Sequence, residues 1–259
     1  MGGIPMRDND VYEISQRVGH SEPMATRILL APGFWLGAWA WDEVAPDLRR
    51  RGNEVLALTL PGLEATDPDR LSATLESQAE AIIGAVPAGE SVVLVAHSGG
   101  AAPAYLAIDR APELFRRAIY VDSAPLPNGF VINSALDAAV REWNLPEWSE
   151  LEDEGSSLAG LDETALARFR ERAVSEPASV AGAPLRLSDS TARLAVPTTV
   201  ICSSMTAELV KKLRDNGEAA IFAELARIDA EYVDLPTGHW PMWSKPNELA
   251  ELIHTIANR

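Results

Sequence analysis

Ser91-Val92-Val93-Leu94-Val95-Ala96-His97-Ser98-Gly99-Gly100 is the stretch that decides the fold. Residues 91–96 form a continuous apolar run, the pattern of a strand buried on both faces of a parallel sheet. Ala101–Arg110 then reads as a helix. Between them lies Ala96-x-Ser98-x-Gly100, a serine flanked by small residues two before and two after. A strand-to-helix turn this sharp forces a strained backbone on its central residue, and small neighbours avoid the clash. It lifts the serine hydroxyl above the carboxyl ends of the strands. It also aims the following N–H groups, at a helix start, towards a developing negative charge. The alternative is an ordinary Gly-rich turn.

Outward from this turn, strands alternate with helices. Arg27–Ala31 is a short apolar strand closed by Pro32-Gly33, and Ala38–Arg51 has helical spacing at Trp41, Val44 and Leu48. Val55–Leu60 is a strand, Leu75–Val86 a helix and Ala118–Val121 a strand. This order predicts an α/β fold, a mostly parallel sheet with helices on both faces. Residues 124–195 then carry no clear strand and are rich in Glu, Asp, Ala and Leu, so a mostly helical cap is expected there. The sheet resumes at Thr198–Ser203 and Tyr232–Leu235, before a last amphipathic helix from Pro246 to Ala257. Residues 1–259 read as one domain with the 124–195 insertion inside it; residues 1–23 are polar and receive no structure.

Composition narrows the function. The 259 residues carry 22 Lys and Arg against 38 Asp and Glu, a net charge of −16. Such a surface repels phosphate backbones and anionic membranes, so no nucleic-acid or membrane partner is expected. No stretch approaches the roughly 20 apolar residues of a membrane helix, and Met1–Asp10 lacks a secretory apolar region. Cys202 is the single cysteine. No disulfide can form within the chain, which leans towards a cytoplasmic setting. Cys202 lies in an apolar strand, where a thiol is inert. No metal-ligand spacing and no phosphate loop appears, so neither metal nor cofactor is expected. Oligomeric state is not legible.

A serine hydroxyl needs a base to become a nucleophile. The four histidines are 20, 97, 239 and 254. His20 lies in the arm, His97 should point away from the serine, and His254 falls in the last helix. His239 sits in Leu235-Pro236-Thr237-Gly238-His239-Trp240, after the last strand, where groups of an open α/β sheet gather. An acid must orient the imidazole. The usual place, after the penultimate strand, holds no carboxylate from Val200 to Thr206; the first is Glu208. Asp122, at the end of the strand after the nucleophile helix, is the assigned acid, with Glu208 in reserve. The alternative for Asp122 is a turn residue opening the insertion. The loop Pro32-Gly33-Phe34-Trp35 would aim the Phe34 N–H at the same point as the Gly99 N–H, making an oxyanion hole. Trp35, Leu126, Phe130, Val131, Trp143 and Trp148 are the candidate substrate contacts.

PGFWLGAWAW (32–41), LPGL (60–63), AHSGG (96–100) and LPTGHWPMWSKPNELAEL (235–252) resemble the α/β-hydrolase superfamily across about residues 27–257. The first two look like esterases of the plant methylesterase and hydroxynitrile-lyase group and like bacterial pyrethroid-type carboxylesterases. Those families carry a His where this chain has Pro32 and take their acid after the penultimate strand. In both departures the chain is closer to the zearalenone lactonases. The resemblance implies hydrolysis of a small-molecule ester or lactone through an acyl-enzyme. A hydroxynitrile-lyase-like reaction and a non-hydrolytic binding protein on the same scaffold are the other readings.

Overall fold

The computed structural model describes residues 25–137 and 139–259. The arm at 1–23, with His20, lies outside the described residues. The first half runs β1 (Arg27–Ala31), α1 (Val44–Arg50), β2 (Glu54–Ala57), α2 (Leu75–Gly84), β3 (Val92–His97), α3 (Ala101–Arg110) and β4 (Phe115–Val121). The insertion holds β5 (Glu142–Trp143), α4 (Trp148–Asp153), α5 (Glu163–Arg172), β6 (Glu176–Pro177) and α6 (Ala178–Ala181). The sheet resumes with β7 (Thr198–Cys202), followed by α7 (Ala207–Asn216), β8 (Ala230–Asp234), α8 (Pro241–Ser244) and α9 (Pro246–Ala257).

Six strands form a parallel sheet in the order β2-β1-β3-β4-β7-β8. From β1 the chain moves first to one side, making β2, and then crosses to the other, making β3. The direction reverses between β1 and β3, and a crevice opens at the carboxyl ends of strands placed this way. Val92 to His97 are all buried, which accounts for the unbroken apolar run. α1 packs against α9 and α2 against α3, so the apolar faces of both helix pairs are covered. Each fully buried Leu or Ile contributes about 1.5–3 kcal/mol.

Two expectations about elements need correction. The helix over Ala38–Arg51 is divided into a 3-10 turn, Ala38–Trp41, and α1. Pro46 lacks an N–H and fits only the first turn of an α-helix, so the helix restarts just before it. The insertion is not mostly helical: its helices are short, much of it is irregular, and β5 and β6 pair as a small antiparallel ribbon. Its Ala, Leu and Glu favour helix, but Pro125, Pro127, Pro146 and Pro184 interrupt it. Gly129, Gly155 and Gly160 take left-handed turns at φ 81, 86 and 85°.

A buried ionic cluster ties the insertion to the core. Arg193 pairs with Asp109 of α3 at 3.1 Å and with Glu224 at 3.0 Å. Tyr105 donates its hydroxyl to Glu224 at 2.8 Å. This fixes the 220–228 segment, one wall of the cavity described below, onto α3.

Candidate active site

β3 ends at His97, and the chain turns through Ser98–Gly100 into α3. Ser98 takes φ 49°, a conformation costly for any residue with a side chain. The turn is held because Gly100 lies against the loop after β1: a Cβ there would sit 2.1 Å from the Pro32 carbonyl oxygen. Ser123 Oγ also donates to the Ser98 carbonyl at 2.9 Å. Among the described non-glycine residues, positive φ occurs only at Trp35, Ser98 and Asp122, all at this end of the sheet. Strain gathers where the surrounding structure holds side chains in place for a task.

Ser98, His239 and Asp122 converge. His239 Nε2 lies 2.7 Å from Ser98 Oγ, and Nδ1 lies 2.6 Å from Asp122 Oδ2. The Asp122 side chain is buried, and it is well provided with donors. Its Oδ1 accepts from the Ser203 and Ser204 backbone N–H groups at 3.0 and 2.9 Å, and Oδ2 accepts from Ser204 Oγ at 2.6 Å. Burial raises the Asp122 pKa, but His239 and the Ser204 donors outweigh it and hold the carboxyl well below its usual range. It is therefore a carboxylate at neutral pH, the form that retains a proton on His239 Nδ1 and leaves Nε2 free to accept. Glu208 lies in the first turn of α7, outside this cluster.

His97, read from the sequence as a structural residue pointing away from Ser98, holds the His239 loop. It is fully buried, and its Nε2 meets the His239 carbonyl oxygen at 2.7 Å. The two imidazole rings lie 4.9 Å apart. Burial, and then the neighbouring His239, lower its pKa to about 3, so the ring is neutral and donates from Nε2. The insertion grips the same loop: His239 N–H donates to Ser157 O at 2.7 Å and Gly238 N–H to Ala159 O at 3.0 Å.

The loop after β1 presses on the serine. A Cβ on Gly33 would lie 2.9 Å from Ser98 Cβ, so only glycine allows this approach. Phe34 follows it, and its N–H makes no backbone hydrogen bond among the described residues. Gly99 occupies the start of the 3-10 turn, where an N–H has no partner within the helix. Two N–H groups are thus available beside Ser98.

A cavity of about 370 Å³ opens beside Ser98, Asp122 and His239. Of the candidate substrate contacts, Leu126 and Phe130 line it, together with Ile132. Val131, between two wall residues, is left outside. Trp35, Trp143 and Trp148 do not line it either. Trp35 and Trp143 stack edge-on against each other with centroids 4.7 Å apart, and Trp148 packs on Phe169 at 5.6 Å. The far wall, which the sequence reading missed, comes from Met205, Val210, Leu213, Ile221 and Phe222. Ala207, Val210 and Leu213 recur every three residues along α7, a signal indistinguishable in sequence from a core-facing stripe. Cys202 completes this wall, its thiol pushed up to about 12 by burial and then by Asp234 and Asp122. No group of three or more metal-ligating side chains occurs among the described residues, and no helix among them is long and apolar enough to cross a membrane.

A parallel α/β sheet carrying a hydrogen-bonded Ser, His and Asp at its carboxyl edge defines a class of proteins with a serine at a strand-to-helix turn. The profile of the alpha/beta hydrolase family matches residues 28–252, and the chain belongs to that family. It is 32% identical to Methylesterase 2 of Arabidopsis thaliana over 148 residues, 54% of this chain and 56% of that protein. The chain thus spans only part of the length of that relative. It is 27% identical to the carbendazim hydrolyzing esterase of Nocardioides sp. (strain SG-4G), over 88% of this chain and 98% of that one. Among solved structures, an Arabidopsis methylesterase superposes with TM-score 0.71 at 15% identity, covering 91% of this chain and 100% of the other.

Proposed function

We propose that this chain is a serine hydrolase of small-molecule carboxylic esters or lactones, working through an acyl-enzyme. The observation that carries the reading is the unbroken chain Ser98 Oγ, His239 Nε2, His239 Nδ1, Asp122 Oδ2, with links of 2.7 and 2.6 Å. His239 takes the Ser98 proton as Oγ attacks the carbonyl carbon. The Phe34 and Gly99 N–H groups receive the negative charge on the carbonyl oxygen, an interaction for which one donor is worth about 3 kcal/mol. Asp122 stabilises the imidazolium that forms. His239 then gives the proton to the departing alcohol oxygen. Water, deprotonated by His239, attacks the acyl carbon; the bond to Ser98 Oγ breaks, His239 returns the proton to Oγ, and the acid leaves.

The esterase names of the sequence relatives support the same reaction. The cavity beside the serine is walled by Leu, Ile, Val, Met and Phe, and among the described residues Asp122 is the only carboxylate on it. An uncharged substrate with a compact apolar group suits it, since a charged group would lose its hydration there without a partner. Residues 124–195 act as the cap of a single hydrolase domain, supplying Leu126, Phe130 and Ile132 to the wall. The lone thiol favours a reducing, cytoplasmic setting.

The test is p-nitrophenyl ester turnover and fluorophosphonate labelling of the protein and of Ser98→Ala. Turnover and labelling should both vanish in the folded variant. Retained turnover sinks the reading. Acid release against cyanide release from a cyanohydrin separates hydrolase from lyase, and a protein inert to both substrates and probe is a binding protein.

A further inference from the structure

The insertion reaches the candidate oxyanion loop through Trp35, one residue beyond Phe34. Trp35 stands at φ 64°, a strained position for a large side chain. Both its ends are held by the ribbon region. The indole Nε1–H donates to the Trp143 carbonyl at 3.0 Å, and the Trp35 carbonyl accepts from the Val174 N–H at 3.0 Å. The rings of Phe34, Trp35 and Trp143 meet edge-on, with centroids 4.7 to 6.1 Å apart.

Beneath this cluster lies Glu176 of β6, paired in register with Trp143. It is fully buried. Its Oε1 receives a long side-chain contact from Gln78 Nε2, 3.4 Å, and its Oε2 has no hydrogen-bond partner. An ionised carboxylate with an unpartnered buried oxygen is far costlier than a neutral acid in the same place. Burial lifts the carboxyl to about 8 against the opposing pull of the Trp35 backbone N–H, Gln78 and Arg70. Arg70 is the charged group facing it, and it is already engaged with Glu142 of β5 and with the Ser175 carbonyl. α2 presents the uncharged Gln78.

We propose that Trp35 and Glu176 are positioning residues: through them the β5–β6 ribbon fixes the Phe34 amide for the oxyanion, and does so while Glu176 is neutral. The inference rests on the ester-hydrolase reading above. Ionisation of Glu176 puts a buried charge under Trp35 whose facing cation, Arg70, is already paired with Glu142. The ribbon must then admit water or shift, and Phe34 shifts with it. The oxyanion donors act on the transition state rather than on the bound ester, so kcat falls while KM holds.

The test is kcat and KM between pH 6 and 9.5, with p-nitrophenyl butyrate, for the protein and three variants. In the unaltered protein kcat is expected to decline at alkaline pH, as the Glu176 carboxyl, raised to about 8, ionises. Glu176→Ala lowers kcat about tenfold at pH 7, the scale of a sub-ångström misplacement. Glu176→Gln, which has the shape of the neutral acid, rescues that loss and removes the alkaline decline. Trp35→Phe, which keeps the ring and deletes Nε1–H, lowers kcat about tenfold with KM unchanged. A purely structural role for Glu176 leaves the shape of the pH profile alone, so persistence of the alkaline decline in Glu176→Gln overturns the proposal. So does a Trp35→Phe enzyme with unaltered kcat, which decides the matter even where the Glu176 variants fail to fold. An unaltered protein that hydrolyses no ester and takes no fluorophosphonate sinks the hydrolase reading instead.

Discussion

The carboxyl edge of the parallel sheet and the 124–195 insertion contribute to the same site in opposite ways. The sheet edge supplies side chains: Ser98 after β3, Asp122 after β4, His239 after β8. The insertion mostly supplies backbone. Ser157 O and Ala159 O hold the His239 loop, and Trp143 O and Val174 N hold Trp35. Among the described residues its side chains reach the cavity only near its start, at Ala124, Leu126, Phe130 and Ile132. On the proposed mechanism the lesson is a division between side chains that would react and main-chain groups that aim them. A main-chain contact tolerates almost any side chain, so the insertion can vary in sequence while keeping its grip.

Removing a reacting group should have the largest effect. Ser98→Ala is expected to lower kcat by about 10⁶-fold, with the melting temperature nearly unchanged; stopped assays on folded protein check both. Asp122→Asn should cost about 10⁴-fold by allowing the wrong imidazole tautomer, and Glu208→Gln nothing measurable. The reverse result would move the acid to α7 and break the contrast between strand ends and other elements.

Groups that only aim should cost less. His97→Leu removes the donor to the His239 carbonyl and is expected to lower kcat by about 10–100-fold. His97→Gln, whose amide can donate, should lose less. His97 is uncharged above about pH 3, so both variants shift the height of the pH–rate profile and leave its shape. A changed shape would mean that His97 exchanges protons during turnover.

Wall residues come next. Leu213→Trp fills the cavity from α7 and should depress kcat/KM for bulky esters by about 10-fold relative to acetates. Trp148→Phe, on a ring that packs against Phe169 and not on the cavity, should leave that ratio within about twofold and lower only the melting temperature. If Trp148→Phe alters ester preference and Leu213→Trp does not, the cavity has been placed on the wrong side of Ser98.

The same contrast explains what the sequence discloses. The sheet is legible because buried parallel strands leave unbroken runs such as 92–96, and the small-x-Ser-x-small turn singles out Ser98 as the candidate nucleophile. His239 emerges because so few histidines compete. Asp122 emerges from the absence of any carboxylate between Val200 and Thr206. That same stretch hides its own role: Ser203 and Ser204 stand where an acid is usual and instead donate to Asp122, which no side-chain pattern announces. The large aromatics of the insertion look like substrate contacts, yet Trp143 and Trp148 are occupied by neighbouring rings. The helical content of the insertion is over-read because propensity counts Ala and Leu, while Pro and left-handed Gly positions decide where helices stop.

Cys202 has a practical consequence. It is the chain's only thiol, it is buried, and it stays protonated far above neutral pH. Maleimides and similar electrophiles react with thiolates, so a cysteine engineered on the protein surface would be modified against a silent background. A fluorophore or spin label on the outer face of the insertion, with a second on α9, turns this inert atom into an advantage: the distance between them can be followed through a catalytic cycle without first mutating anything in the cavity.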